Sequence, residues 1–143
     1  MIHTVFFIQL LASIWMCSLI WLIQLLHYPS FHYIVEKDLP AFSRFHQKRI
    51  SLLVVPAMFI ELFSMFYLVY ISHWDPIFLF CTLCLIAIWI STFCLQVPCH
   101  QQLLISGTKQ IISRLVLSNW IRTLLWTIKT IALIVLLFKS LVF

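Results

Sequence analysis

Apolar residues fill four stretches of this chain, residues 5–27, 50–71, 77–97 and 119–138, and the only charges inside them are Glu61, Arg122 and Lys129. Each stretch is near the ~20 helical residues needed to cross a bilayer core of about 30 Å. In lipid every backbone amide must be bonded within its own segment or a closed barrel, so continuous apolar runs of this length predict helices. The expected fold class is an all-α membrane protein: one integral membrane domain, residues 1–143, built as a four-transmembrane-helix bundle. Residues 72–76 make so short a link that the second and third helices must be antiparallel neighbours. The other connections, residues 28–49 and 98–118, are amphipathic and are predicted to lie along the membrane surface.

Polar residues inside these stretches recur at helical spacing. At 3.6 residues per turn, Asn119, Arg122, Thr123, Trp126 and Thr130 share one face of the fourth helix. Trp89, Thr92, Gln96 and His100 share one face of the third. Ser13, Cys17, Gln24 and His27, with Gln9 close by, do so on the first, and His46 and Arg49 lie one turn apart at the start of the second. Lipid cannot satisfy such groups, so each stripe must turn inward. Glu61 and Lys129 lie deepest, where a charge costs at least ~2.5–3.5 kcal/mol. They are expected either to form a buried ion pair, or to act apart, with Glu61 as a neutral acid, proton carrier or metal ligand and Lys129 snorkelling. The ends also repeat: Gln24-x-x-His27-x-Pro29 resembles Gln96-x-Pro98-x-His100, and His46-x-x-Arg49 resembles Asn119-x-x-Arg122. Two pseudo-symmetric helical hairpins would follow.

Composition and charge fix the orientation. The 143 residues are 64% hydrophobic and 9% charged, against about 25% charged in a soluble domain, which excludes that class. The start, Met1-Ile2-His3-Thr4, lacks the basic region of a secretory signal, so the first stretch is expected to be a retained span. Lys37, Arg44, Lys48 and Arg49 cluster in or beside the first connection and Lys109, Arg114 and Arg122 in or beside the third, while the short link carries none. The positive-inside rule then places both long connections in the cytoplasm and both termini outside, in a bacterial inner membrane. Anionic lipid accounts for the net charge of +5 without a nucleic acid partner. The five cysteines all lie in or beside apolar stretches, and Cys81-x-x-Cys84 has no second pair to complete a zinc site, so packing is the expected role.

Candidate chemistry gathers at the cytoplasmic ends. His27, His46 and His100 are candidate acid/base groups or ligands, and Arg49, Asn119 and Arg122 candidate oxygen-binding groups. His32, Trp89, Trp120, Trp126 and Glu61 are candidates for holding a cofactor. No local His-x-x-x-His or Glu-x-x-His pair is present, so haem or another metal could be ligated only by convergence between helices, and the metal is left open. The expected partners are membrane lipid and a lipophilic small molecule, with a homo-oligomer left open.

Val97-Pro98-Cys99-His100-Gln101-Gln102-Leu103, followed by Asn119-Trp120-Ile121-Arg122-Thr123, resembles a pattern of small four-helix bacterial membrane proteins similar to fungal anthrone oxygenases. Where that pattern commonly has an asparagine two positions after the proline, this chain has His100. In size and membrane histidines alone the chain is also similar to haem-containing four-helix protoporphyrinogen oxidases. The resemblance implies a membrane oxidoreductase or oxygenase acting on a lipophilic aromatic or quinone-type molecule. The alternative is a non-enzymatic accessory subunit or lipid-binding protein.

Overall fold

The computed structural model describes residues 2–142, with side chains for residues 2–139. Among the described residues there is no strand. Four helices are long and apolar enough to cross a membrane: α1 (Ile2–Tyr33), α2 (Glu36–Ile71), α3 (Pro76–Ile105) and α4 (Lys109–Lys139). The chain is an integral membrane four-helix bundle. α1 packs on α2 and α4, and α3 packs on α4 and α2, so the helices close a ring in chain order.

The link between α2 and α3 is a tight reversal. His73 and Trp74 both take positive φ, 52° and 67°, a region in which non-glycine residues are uncommon. Asp75 then starts α3 by accepting the amide of Ile77 at 2.8 Å, with Pro76 in the first turn where no amide partner is needed. The other two connections depart from expectation. Instead of surface segments over 28–49 and 98–118, α1 continues to Tyr33 and α2 begins at Glu36, while α3 continues to Ile105 and α4 begins at Lys109. The reason is a third of the core: Phe31, Leu39, Cys99, Leu103, Ile112 and Leu115 are buried together, so these amphipathic turns face one another and extend the bundle. Gly107 lies in the α3–α4 connection, and a Cβ there would sit 2.4 Å from Leu39 Cβ. Only glycine allows that approach.

Along its axis the interior alternates apolar and polar layers. Near the α2–α3 link lie Leu10, Met65, Leu68, Phe78, Leu85 and Leu133. Next comes a polar layer in which Lys129 and Glu61, both fully buried, form a salt bridge. Ser13 donates to Glu61 Oε1 at 2.8 Å, and Lys129 Nζ donates to Ser13 Oγ at 3.1 Å. Gln9 and Ser64 complete the network, Ser64 Oγ donating to Gln9 Oε1 and Gln9 Nε2 to Ser13 Oγ. The ion pair is therefore the outcome between the two expectations for Glu61 and Lys129. Below it Met16, Ile20, Met58, Ile88 and Trp126 form a middle apolar layer. A second polar layer separates that from the Phe31–Leu39 end. All five cysteines are unbridged, and Cys81 and Cys84 are buried, in keeping with a packing role.

Candidate functional site

Two prolines shape the second polar layer. Pro29 and Pro98 lack an amide hydrogen, and their rings crowd the carbonyl four residues back, of Leu25 and Cys94. In both helices the chain widens into a π-turn just before the proline, over Ile23–His27 and Thr92–Gln96. The Tyr28 amide bonds the Ile23 carbonyl, and the Val97 amide bonds that of Thr92, five residues back in each case. Such single-turn bulges occur often at functional sites. Their effect here is geometric: a wide turn keeps residues four apart on one face, so Tyr28 follows Gln24, and Gln96 follows Thr92, into the interior.

Between these turns lies a chamber of about 490 Å³, within the range of small-molecule sites. Met16, Ile20, Ile23, Val54 and Trp126 form its apolar wall. Tyr28, Thr92, Gln96, His100 and Arg122 bring polar groups to it, and the exposed Lys48 and Gln101 stand at its edge.

Arg122 is only 6% exposed, yet among the described residues no carboxylate faces it. Of the four acidic residues, Glu36 and Asp38 are exposed at the start of α2, Asp75 caps α3 at the opposite end, and Glu61 is held by Lys129. Its partners are neutral oxygens. Nε and Nη2 donate to Asn119 Oδ1, Nη1 donates to Thr92 Oγ1 at 3.4 Å, and Nη2 donates to Tyr28 Oη at 3.4 Å. Asn119 is itself fixed by donating to Gln24 Oε1 at 2.8 Å. A buried cation costs several kcal/mol unless its charge is balanced. The wall of the chamber therefore carries a net positive charge suited to an oxyanion.

Tyr28 Oη lies 3.0 Å from His100 Nε2. Since Arg122 can only donate to the phenol oxygen, Tyr28 keeps its own proton to donate to Nε2, which puts the His100 proton on Nδ1. Among the described residues His100 Nδ1 has no partner, and neither has Gln96 Oε1. A hydrogen-bonded chain, His100 to Tyr28, thus reaches the guanidinium at the chamber wall.

His27 and His46 stack with ring centres 4.2 Å apart, and His46 lies 5.6 Å from His100. Stacked rings do not aim their nitrogens at one point, and among the described residues no group of three His, Cys, Asp or Glu could hold a metal ion. Asn119, Arg122 and Trp126 lie where the sequence places them, inside the bundle. His27, His46 and Asn119 do not themselves line the chamber, and five further candidates lie away from it. Arg49 is exposed and rests on the Phe45 ring at 5.7 Å. His32 is exposed, on the outer side of the turn whose inner side buries Phe31. Trp120 is turned outward, its ring edge-on to Trp21 at 5.6 Å. Trp89 is half-buried and packs against Phe59 and Phe93. Glu61 belongs to the deeper layer, one layer of side chains away. The hairpin repeat consequently survives in the paired prolines and π-turns, while Arg49 and Arg122, its expected equivalents, lie on opposite sides of the protein surface.

Tyr28 is the site residue absent from the sequence candidates. Counting at 3.6 per turn puts both His27, three residues on, and Tyr28, four residues on, on the face of Gln24, and it is Tyr28 that takes the buried place; the readable signal was Pro29 immediately after it. Comparison with known protein families, with curated proteins and with solved structures finds no match to this chain. Fold and site define the class: a small integral membrane bundle with an apolar interior chamber and one buried, uncompensated guanidinium.

Proposed function

We propose that this chain is a membrane oxidoreductase or oxygenase-like protein that takes a lipophilic aromatic or quinone-type molecule into the chamber. The observation that carries this reading is the buried Arg122, which has no carboxylate partner and lines an otherwise largely apolar cavity. Arg122 holds a ring oxygen as charge develops on it, Trp126 and the aliphatic wall hold the ring, and the His100–Tyr28 pair accepts the proton released. An electron-rich oxyanion left in this way is open to oxidation by dioxygen, the oxidant that the anthrone-oxygenase resemblance implies: a hydroquinone gives up two electrons and two protons to become the quinone, and dioxygen takes them up as hydrogen peroxide. In the same reading the α1–α2 and α3–α4 connections face the cytoplasm of a bacterial inner membrane and both termini lie outside.

Oxygen uptake by the purified protein in lipid nanodiscs, supplied with an anthrone or a hydroquinone, tests this directly. Turnover that is lost in His100→Ala, with folding intact, supports the reading. Saturable binding without turnover above the protein-free rate favours the second one, a lipid-binding or accessory protein. That alternative draws on the exposed Lys48 at the chamber edge, where an anionic head group would meet it.

A further inference from the structure

Gln96 is 1% exposed and lines the chamber. Its amide nitrogen donates to Ser118 Oγ at 2.9 Å, and Ser118 Oγ in turn donates to the Leu115 carbonyl. That chain of donors fixes which end of the amide is which: Nε2 is spent, and Oε1 is the acceptor with no partner. A buried acceptor left unsatisfied is costly, so a ligand that donates to it binds tighter than one that does not.

Two demands therefore fall on one ligand. Arg122 donates to Thr92 Oγ1, which places its guanidinium beside the first residue of the π-turn that ends at Gln96. Arg122 asks for an oxygen that accepts or is ionised; Gln96 asks for an O–H or N–H. We infer that the chamber selects a dihydroxy aromatic, a hydroquinone-type molecule, over its quinone: one oxygen meets Arg122 and Tyr28, and a second hydroxyl donates to Gln96 Oε1. A quinone offers acceptors only and leaves Gln96 unsatisfied.

This inference rests on the reading of the chamber as the site of a lipophilic ring compound, and the two fail separately. Equilibrium binding of a matched short-chain benzohydroquinone and benzoquinone, measured without oxygen on the full-length protein in nanodiscs, reads the difference. The hydroquinone is expected to bind about tenfold tighter or more. In Gln96→Met the two forms should bind alike, and in Gln96→Glu, which keeps an acceptor, the preference should persist; the second variant guards against loss of fold in the first. Equal affinity of both forms for the unmodified protein overturns the selectivity while leaving the chamber a ring-binding site. Absence of binding by either form overturns both.

Discussion

The indole nitrogen of Trp126 donates to Oε2 of Glu61 at 2.9 Å, while the same ring forms part of the chamber wall. One side chain thus joins the two polar layers. Arg122 lies over the other part of that ring, its guanidinium carbon 6.0 Å from the centroid. The ion pair of α2 and α4 fixes the orientation of the wall against which a ligand would stack.

Removing one member of that ion pair should be far worse than removing both. Glu61→Gln or Lys129→Met each leaves a buried, unmatched polar group or charge and is expected to cost about 3–5 kcal/mol. The double variant should recover much of the loss. Thermal unfolding of the four proteins in detergent measures this, and strictly additive losses would show that the two charges do not interact. Trp126→Phe, which leaves Oε2 without its donor, should cost about 1–3 kcal/mol in the same assay.

Gly107→Ala should destabilise the closed end of the bundle. Its Cβ would meet Leu39 Cβ at 2.4 Å, and overpacking of a fitted core costs typically ~1–3 kcal/mol. Leu39→Ala placed on top should not rescue it, because alanine keeps the Cβ that makes the contact. Gly107→Ala with an unchanged unfolding temperature would place the α3–α4 connection away from Leu39.

Tyr28→Phe removes the hydroxyl between Arg122 and His100 with little change in volume. Turnover of a hydroquinone or anthrone is expected to fall by about 100-fold or more, the usual size of a general acid–base contribution, with ligand affinity changed far less. Steady-state oxygen uptake separates the two effects. Undiminished kcat would reject Tyr28 as the proton path.

Much of this protein is legible from its sequence because the bilayer sets a length and forbids unpaired polar groups. The four spans follow from that, and so does the inward stripe of Asn119, Arg122, Thr123, Trp126 and Thr130, all of which are buried. On a regular helix such as α4, counting at 3.6 places side chains correctly. α1 and α3 are not regular. Beyond each π-turn the face shifts, so His27 yields its place to Tyr28, and Trp89, before the second turn, drifts off the interior face that Ile88 and Ser91 occupy. Arg49 shows the other limit. Its spacing from His46 matches that of Arg122 from Asn119, but which of two similar arginines is buried depends on what the neighbouring helices present. Arg122 meets Asn119, Thr92 and Tyr28, and Arg49 meets only Phe45.

The proposed function depends on Arg122 drawing a ligand oxygen into the chamber. Isothermal titration of a lipophilic hydroquinone into the nanodisc-embedded protein and into Arg122→Gln measures that dependence. One ligand per chain is expected for the unmodified protein, with affinity about 10- to 100-fold weaker in the variant, the worth of a hydrogen bond to a charged group. A folded Arg122→Gln protein that binds the same ligand with undiminished affinity would contradict it.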